Sequence, residues 1–104
     1  DWGYILHWAN YTNYSAKIYV FEIESANTEM FFHKDTEKTF FVNVGRFTLQ
    51  YIETTHGTIN KHQLGEGDTI TVPIMTPHQL QSLTAHSSIT EVASQDYSAD
   101  IYKI

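Results

Sequence analysis

Hydrophobic and polar positions alternate in short runs along most of the chain, and each run ends at a turn signal. Three runs rich in β-branched and aromatic residues are AKIYVFEI at 16–23, TEMFFHK at 28–34 and KTFFVNV at 38–44. Alternation of this kind predicts half-buried β-strands. Further strands are predicted at 46–53, 58–64, 69–73, 78–83 and 88–94. No run has a clear helical spacing of hydrophobic residues, so the sequence predicts an all-β protein.

The turn residues suggest how these strands are joined. Gly45 and Arg46 separate the runs at 38–44 and 46–53, and the pattern predicts a β-hairpin there. His56 and Gly57 predict a second hairpin into the run at 58–64. Strands this short, with turns every eight to twelve residues, indicate a β-sandwich or a barrel.

A length of 104 residues fits one domain, which we expect to comprise an aromatic-rich N-terminal arm, a barrel and a C-terminal tail, at 1–14, 15–94 and 95–104. The net charge of −6 argues against nucleic acid and anionic membranes as partners. The chain has no cysteine, which excludes disulfides, thiolate zinc sites and cysteine nucleophiles. It shows no apolar run of membrane-spanning length and no signal peptide, so a cytoplasmic location is expected.

Two motifs resemble those of the cupin superfamily, whose members fold as a double-stranded β-helix, or jelly-roll barrel. In the stretch GDTITVPIMTPH, Gly67, Pro73 and His78 stand at the family spacing of its second motif. His33 and Gly45 match two positions of the first motif. The sequence is most similar to the branch that includes the C-terminal domain of mannose-6-phosphate isomerase/GDP-mannose pyrophosphorylase proteins. Further residues that carry this resemblance are Trp2, Gly3, Tyr14, Lys17, Glu91, Asp100 and Lys103.

The first motif departs from the family pattern at two of its ligand positions. Phe31 stands where the family has His or Gln, and Lys38 stands where it has Glu. Glu37 is the nearest carboxylate, but a shift of one residue along a strand turns a side chain to the opposite face. Glu37 would reach the barrel interior only through a β-bulge at the preceding corner.

Two interpretations of His33 and His78 are open at this point. They could ligate a divalent metal such as Zn²⁺, Mn²⁺, Fe²⁺ or Ni²⁺, with Glu37 or water completing a shell of three or four ligands. Alternatively, they line a pocket and form hydrogen bonds with a ligand or water. Lys38 is also ambiguous, because its ammonium either holds an anion inside the barrel or extends to solvent at the barrel mouth.

The resemblance implies a small-molecule pocket inside the barrel, with a sugar or organic anion as the ligand. The first hypothesis is a sugar-phosphate isomerase with His33, Glu37, Lys38 and His78 as candidate catalytic residues. Candidate ligand-binding residues are Lys17, Lys38 and Phe31. The alternative is a non-catalytic cupin that binds a carbohydrate or small acid at a degenerate metal site.

The resemblance also implies a homodimer, in which the N-terminal arm is expected to pack on a sheet of its own chain or of the partner. Trp2, Tyr4 and Trp8 are the side chains expected to make this contact. Phe31, Phe40, Val42, Phe47 and Leu49 are predicted to form the barrel core.

Overall fold

The computed structural model describes residues 2–104, which form ten β-strands and contain no helix. No helix capable of crossing a membrane therefore occurs within this range. The strands are β1 (Gly3–Asn10), β2 (Ser15–Phe21), β3 (Phe31–Phe32), β4 (Lys38–Val44), β5 (Phe47–Glu53), β6 (Thr58–Leu64), β7 (Thr69–Val72), β8 (His78–Ser82), β9 (Ser87–Ala93) and β10 (Tyr102–Lys103).

The strands form two five-stranded antiparallel sheets. One sheet has the order β1-β2-β9-β4-β7, and the other has the order β10-β3-β8-β5-β6. The alternating runs place their apolar side chains between the two sheets, as period-two patterning requires. The N-terminal arm and the C-terminal tail each supply an edge strand, β1 and β10. The predicted all-β, double-sheet architecture is confirmed.

One predicted hairpin is wrong. The β5–β6 hairpin forms as expected, but β4 and β5 belong to different sheets, so the turn at Gly45 carries the chain from one sheet to the other. Gly45 has φ of +88°, and a Cβ at this position would collide with Thr84 and Ser87. The glycine is therefore required by a crossover between sheets and not by a hairpin.

The strand predicted at 28–34 is also shorter than expected, because only Phe31 and Phe32 are in a continuous strand. The chain before them is held on β8 by separate backbone hydrogen bonds. Thr28 N–H donates to the Leu80 carbonyl at 2.9 Å, and Ser82 N–H donates to the Ala26 carbonyl at 3.0 Å. These bonds do not extend into a regular ladder.

The space between the sheets is apolar at one end and polar at the other. The apolar end contains Phe21, Val42, Phe47, Leu49 and Ile89, whose side chains have no exposed surface. Phe40 is also buried, whereas Phe31 is only partly buried. The polar end holds buried charged and titratable groups, which define the candidate site.

The N-terminal arm packs only partly as predicted. The ring of Trp2 stacks on Phe21 with centroids 4.6 Å apart. Tyr4 and Trp8 are 55% and 56% exposed and do not pack on the chain's own sheet, so packing on a partner's sheet stays a prediction. The outward direction of Tyr4 follows from the register of β1, in which the neighbouring Ile5 lines a cavity between the sheets, whereas Trp8 lies at a register shift between His7 and Ala9.

Candidate functional site

The candidate site is assembled by cross-strand pairing. On one sheet, Glu91 of β9 lies opposite both Lys17 of β2 and Phe40 of β4. Lys38 lies two residues before Phe40 and therefore shares its inward face. On the other sheet, Phe31 of β3 is paired with His78 of β8. The two inner faces thus place these side chains across the same space.

The central contact of the site is a buried ion pair. Lys38 Nζ lies 3.0 Å from Glu91 Oε1, and the two side chains are 1% and 0% exposed. The Lys38 ammonium also lies near the rings of Tyr97 and Phe31, at 4.4 and 5.0 Å from their centroids. Burial lowers the pKa of Lys38 to about 8, although Glu91 opposes this change. The suggestion that Lys38 extends to solvent is therefore wrong.

The Glu91 carboxylate accepts hydrogen bonds from three side chains. Tyr97 Oη donates to Oε2 at 2.8 Å, and Tyr19 Oη and Lys38 Nζ donate to Oε1 at 3.1 and 3.0 Å. Burial alone would raise the pKa of Glu91, but the charges of Lys38 and Lys17 and these hydrogen bonds outweigh burial. The pKa therefore lies below the usual range, and Glu91 is a carboxylate.

His33 and His78 are brought together, with ring centroids 5.7 Å apart. Each Nδ1–H donates to a backbone carbonyl, that of Asp100 at 2.6 Å for His33 and that of Thr76 at 2.9 Å for His78. Because a carbonyl can only accept, these bonds leave Nε2 of each neutral ring as an acceptor. Both Nε2 atoms are buried and have no hydrogen-bond partner in the described part of the chain.

The electrostatic environment keeps both imidazoles neutral. Burial is the largest cause and the nearby Lys38 ammonium is the next, and together they lower the pKa of His33 to about 4 and that of His78 to about 3. Both rings therefore remain bases with an available lone pair at neutral pH.

Asp100 fixes the corner from which His33 and Lys38 extend. Its carboxylate accepts hydrogen bonds from the N–H groups of Lys34 and Asp35, both at 2.9 Å, and from Thr36 Oγ1 at 2.8 Å. Its carbonyl orients His33, as described above. The C-terminal tail thereby positions the first motif.

A cavity of about 470 Å³ opens onto the site between the β1–β2 and β3–β10 edges. Lys17, Lys38, Glu91 and His78 line it, together with the aromatic rings of Phe31 and Tyr97. Lys17 Nζ lies over the Tyr97 ring, 3.7 Å from its centroid. Lys103 and Glu29 also line the cavity and form an ion pair with each other. The remaining two ammonium groups and one carboxylate give a local charge of +1 in a chain of net charge −6.

A second cavity of about 460 Å³ lies between β5 and β7, and its wall includes Tyr51, His62 and Val72. Tyr51 Oη and His62 Nε2 are 3.3 Å apart, and His62 is exposed. Among residues 2–104, no lysine lines this cavity. The buried charges therefore identify the first cavity as the candidate site.

The residues present do not fit a conventional divalent metal site. His33 and His78 have the unprotonated nitrogens and carbonyl-bound Nδ1–H groups that metal-ligating histidines require. However, the third position is occupied by the Lys38 ammonium, which repels a dication, and Glu91 is already bound to Lys38. Residues 2–104 contain no cluster of three or more His, Cys, Asp or Glu side chains able to hold a metal ion.

The structure places most of the predicted site residues together. His33, Lys38, His78, Lys17 and Phe31 all lie at the polar end of the barrel.

Glu37 is the exception, because its side chain is exposed on the outside. No bulge turns it inward: Lys38 is paired in register with Val72 and Ala93, and Glu37 stays on the opposite face. The prediction that Glu37 acts as a base or metal ligand beside the histidines is therefore wrong.

Sequence reasoning did not place Glu91, Tyr19 and Tyr97 in the site. Glu91 lies two residues from each of the buried Ile89 and Ala93 and therefore shares their face of β9. The alternation in this strand thus predicts an inward carboxylate. No local signal pairs it with Lys38, because the contact joins residues 53 positions apart.

Several solved structures have a similar fold. CapF of Staphylococcus aureus, a capsular polysaccharide assembling protein, matches with a TM-score of 0.86 and 12% identity over 100% of this chain and 32% of CapF. KdgF from Halomonas sp. matches with a TM-score of 0.75 and 20% identity over 86% of this chain and 77% of KdgF. Oxalate decarboxylase of Bacillus subtilis matches with a TM-score of 0.79 and 18% identity over 89% of this chain and 24% of that enzyme.

No family model matches the sequence, and a search of curated proteins gives no match. The chain spans about a third of CapF, and the identities are low, so the structural matches bear on the fold alone. They do not confirm the resemblance to the mannose-6-phosphate isomerase branch. CapF, KdgF and oxalate decarboxylase all contain the cupin fold, and this chain has the same fold.

Proposed function

We propose that the chain binds a small polyhydroxylated anion, such as a sugar acid or a sugar phosphate, without a resident divalent metal. The observation that carries this proposal is the pair of buried, unpartnered Nε2 atoms of His33 and His78 beside the Lys38 ammonium. Buried acceptors without a partner are costly, and a hydroxyl group of a ligand in the cavity would satisfy that of His78, which lines the cavity.

The charge of the cavity favours an anion. Lys17 and Lys38 together exceed Glu91 by one positive charge, and a single carboxylate or phosphate would balance it. Lys17 is the better contact for the anionic group, because it is only partly buried and lies at the cavity wall. The aromatic rings of Phe31 and Tyr97 provide flat apolar surfaces against which the carbon chain of the ligand can pack.

Calorimetric titration with gluconate and glucitol tests this proposal, because the two differ mainly in one carboxylate. Gluconate should bind, and glucitol should bind at least about tenfold more weakly if a charge contact of 1.4 kcal/mol or more is lost. Lys17→Met should weaken gluconate and leave glucitol unchanged. Lys61→Met, which removes an exposed lysine of β6, is the control. Equal affinity for the two compounds, or no binding of either, would contradict the proposal.

A second candidate function is the isomerisation of a sugar phosphate such as mannose 6-phosphate. Neutral imidazoles with free Nε2 atoms favour it, because a base must move a proton between adjacent carbons while a cation stabilises the enediolate. His78 would act as the base, and Lys38 would stabilise the charge. Incubation with mannose 6-phosphate in D₂O, followed by NMR, should show deuterium at C2 and ketose formation. Absence of both deuterium incorporation and ketose formation would exclude this activity.

A further inference from the structure

Lys38 combines three properties that a catalytic amine requires. It is covered by aromatic rings, it belongs to the wall of a cavity of about 470 Å³, and a second cation, Lys17, lines the same cavity. A buried ion pair that serves stability alone is commonly no better than an apolar pair of the same volume. Stability alone therefore does not explain a lysine in the wall of this cavity, and we ask which reaction its amine could perform there.

We propose that Lys38 is a nucleophile that forms an iminium (Schiff base) with a carbonyl compound bound in the cavity. This proposal rests on the proposed function, which supplies the binding site for the anionic substrate. The substrate class is a small aldehyde or ketone that carries a carboxylate or phosphate group. Lys17 retains its charge and holds the anionic group, while Lys38 reacts with the carbonyl carbon.

The step is balanced without an external reactant. The Lys38 ammonium loses one proton to water in the cavity, and the neutral amine attacks the carbonyl carbon to form a C–N bond. The second amine proton moves to the former carbonyl oxygen, which gives a carbinolamine. A proton from water in the cavity adds to the hydroxyl group, the C–O bond breaks, and water leaves. The sum is ammonium plus carbonyl giving iminium plus water, with one positive charge on each side.

The surroundings suit the product as well as the reactant. Because the iminium nitrogen keeps the positive charge, the carboxylate of Glu91 at 3.0 Å stabilises it as it stabilises the ammonium. The rings of Phe31, Phe40 and Tyr97 exclude water from the nitrogen, which slows hydrolysis of the C=N bond. Burial also favours the amine, since the pKa of about 8 leaves roughly a tenth of Lys38 unprotonated at pH 7. A neighbouring cationic group and a hydrophobic pocket are known ways to activate a lysine.

Reductive trapping tests the proposal directly. The protein is incubated at pH 7 with pyruvate and cyanoborohydride, which converts an iminium to a stable secondary amine, and the modified lysines are mapped by mass spectrometry. We expect modification at Lys38 at least about tenfold faster than at the exposed Lys34, Lys61 or Lys103, because Lys38 lines the cavity that binds pyruvate and burial lowers its pKa to about 8. Lys17→Arg retains the charge without an imine-forming amine, and Lys38 should still be labelled in this variant.

Lys38→Met/Glu91→Gln removes both buried charges together and serves as the folded control, which should lose the fast labelling. Labelling confined to exposed lysines, with Lys38 unmodified in the wild type, would overturn the proposal. If gluconate binds in that case, the proposed function stands and only the nucleophilic role fails. If gluconate does not bind either, both are wrong.

Discussion

Lys38 and Glu91 form an ion pair of 3.0 Å between side chains that have almost no contact with solvent. The pair joins two adjacent strands, β4 and β9, and it lies between the aromatic wall of the cavity and two neutral histidines. A lysine at this position places a fixed cation where the resemblance to cupins would place a metal-ligating carboxylate.

The ion pair makes a prediction about stability. Lys38→Met should lower the free energy of unfolding by about 3–5 kcal/mol, because it leaves the Glu91 carboxylate buried without its cation. Lys38→Met/Glu91→Gln should recover most of this loss and come within about 2 kcal/mol of the wild type. Urea unfolding monitored by tryptophan fluorescence measures both.

Lys103→Met provides the matched control for loss of a lysine. It breaks the Lys103–Glu29 pair, whose side chains are both 69% exposed, and should cost less than about 1 kcal/mol. If Lys38→Met/Glu91→Gln is no more stable than Lys38→Met, the unpaired Glu91 carboxylate is not the cause of the loss in Lys38→Met.

The buried histidines predict a loss of stability in mild acid. The pKa values of His33 and His78 in the folded chain are about 4 and about 3, below the ordinary value of 6.5. Between pH 6.5 and the folded pKa values, the unfolded chain binds more protons than the folded chain. The stabilisation from the neutral imidazoles is therefore fully present above pH 6.5 and is lost as the pH decreases. The loss should be roughly 2–4 kcal/mol between pH 6.5 and 5.

Unfolding curves measured at pH 7.5, 6.5, 5.5 and 5 check this prediction. The pKa of Glu91 is lowered from its ordinary value of 4.5, so protonation of Glu91 changes the free energy of unfolding mainly below that pH. Between pH 6.5 and 5, the histidines therefore dominate the change in stability. The double variant His33→Asn/His78→Gln should show a flatter profile than the wild type in this range. A wild-type profile that is flat from pH 7.5 to 5 would mean that the imidazoles are accessible to protons in the fold.

Much of this fold was predictable because its signals are local. Alternation located β4, β6 and β9, and motif spacing brought His33, Lys38 and His78 to one end of the barrel. The crossover at Gly45 was mistaken for a hairpin, because a glycine turn between two strands looks the same whether or not the strands pair. The partner of Lys38 was not predictable, since it required knowledge that β9 lies beside β4.

The edge strand β1 predicts self-association. Tyr4 and Leu6 point outward at 55% and 51% exposure, and the apolar face continues across the sheet to Phe41 and Val92, which are 42% and 45% exposed. We expect a two-fold dimer that pairs or covers this face. Leu6→Glu should produce monomers, whereas Ile59→Glu, on the other sheet, should not. Light scattering at high concentration checks this, and a monomeric wild type would remove the dimer.

Whether the Lys38 ammonium stands in place of a metal is tested by calorimetric titration of Zn²⁺ and Mn²⁺ into the wild type and into Lys38→Glu/Glu91→Gln. The double substitution keeps one buried carboxylate, removes the ammonium and offers His33, His78 and a carboxylate as three ligands. Lys38→Met/Glu91→Gln, which adds no ligand, is the control. We expect one tightly bound ion per chain in Lys38→Glu/Glu91→Gln alone, and weak binding in the wild type that is lost as the histidines protonate. Tight, stoichiometric binding by the wild type that is unchanged in Lys38→Glu/Glu91→Gln would contradict the claim that the Lys38 cation replaces a metal.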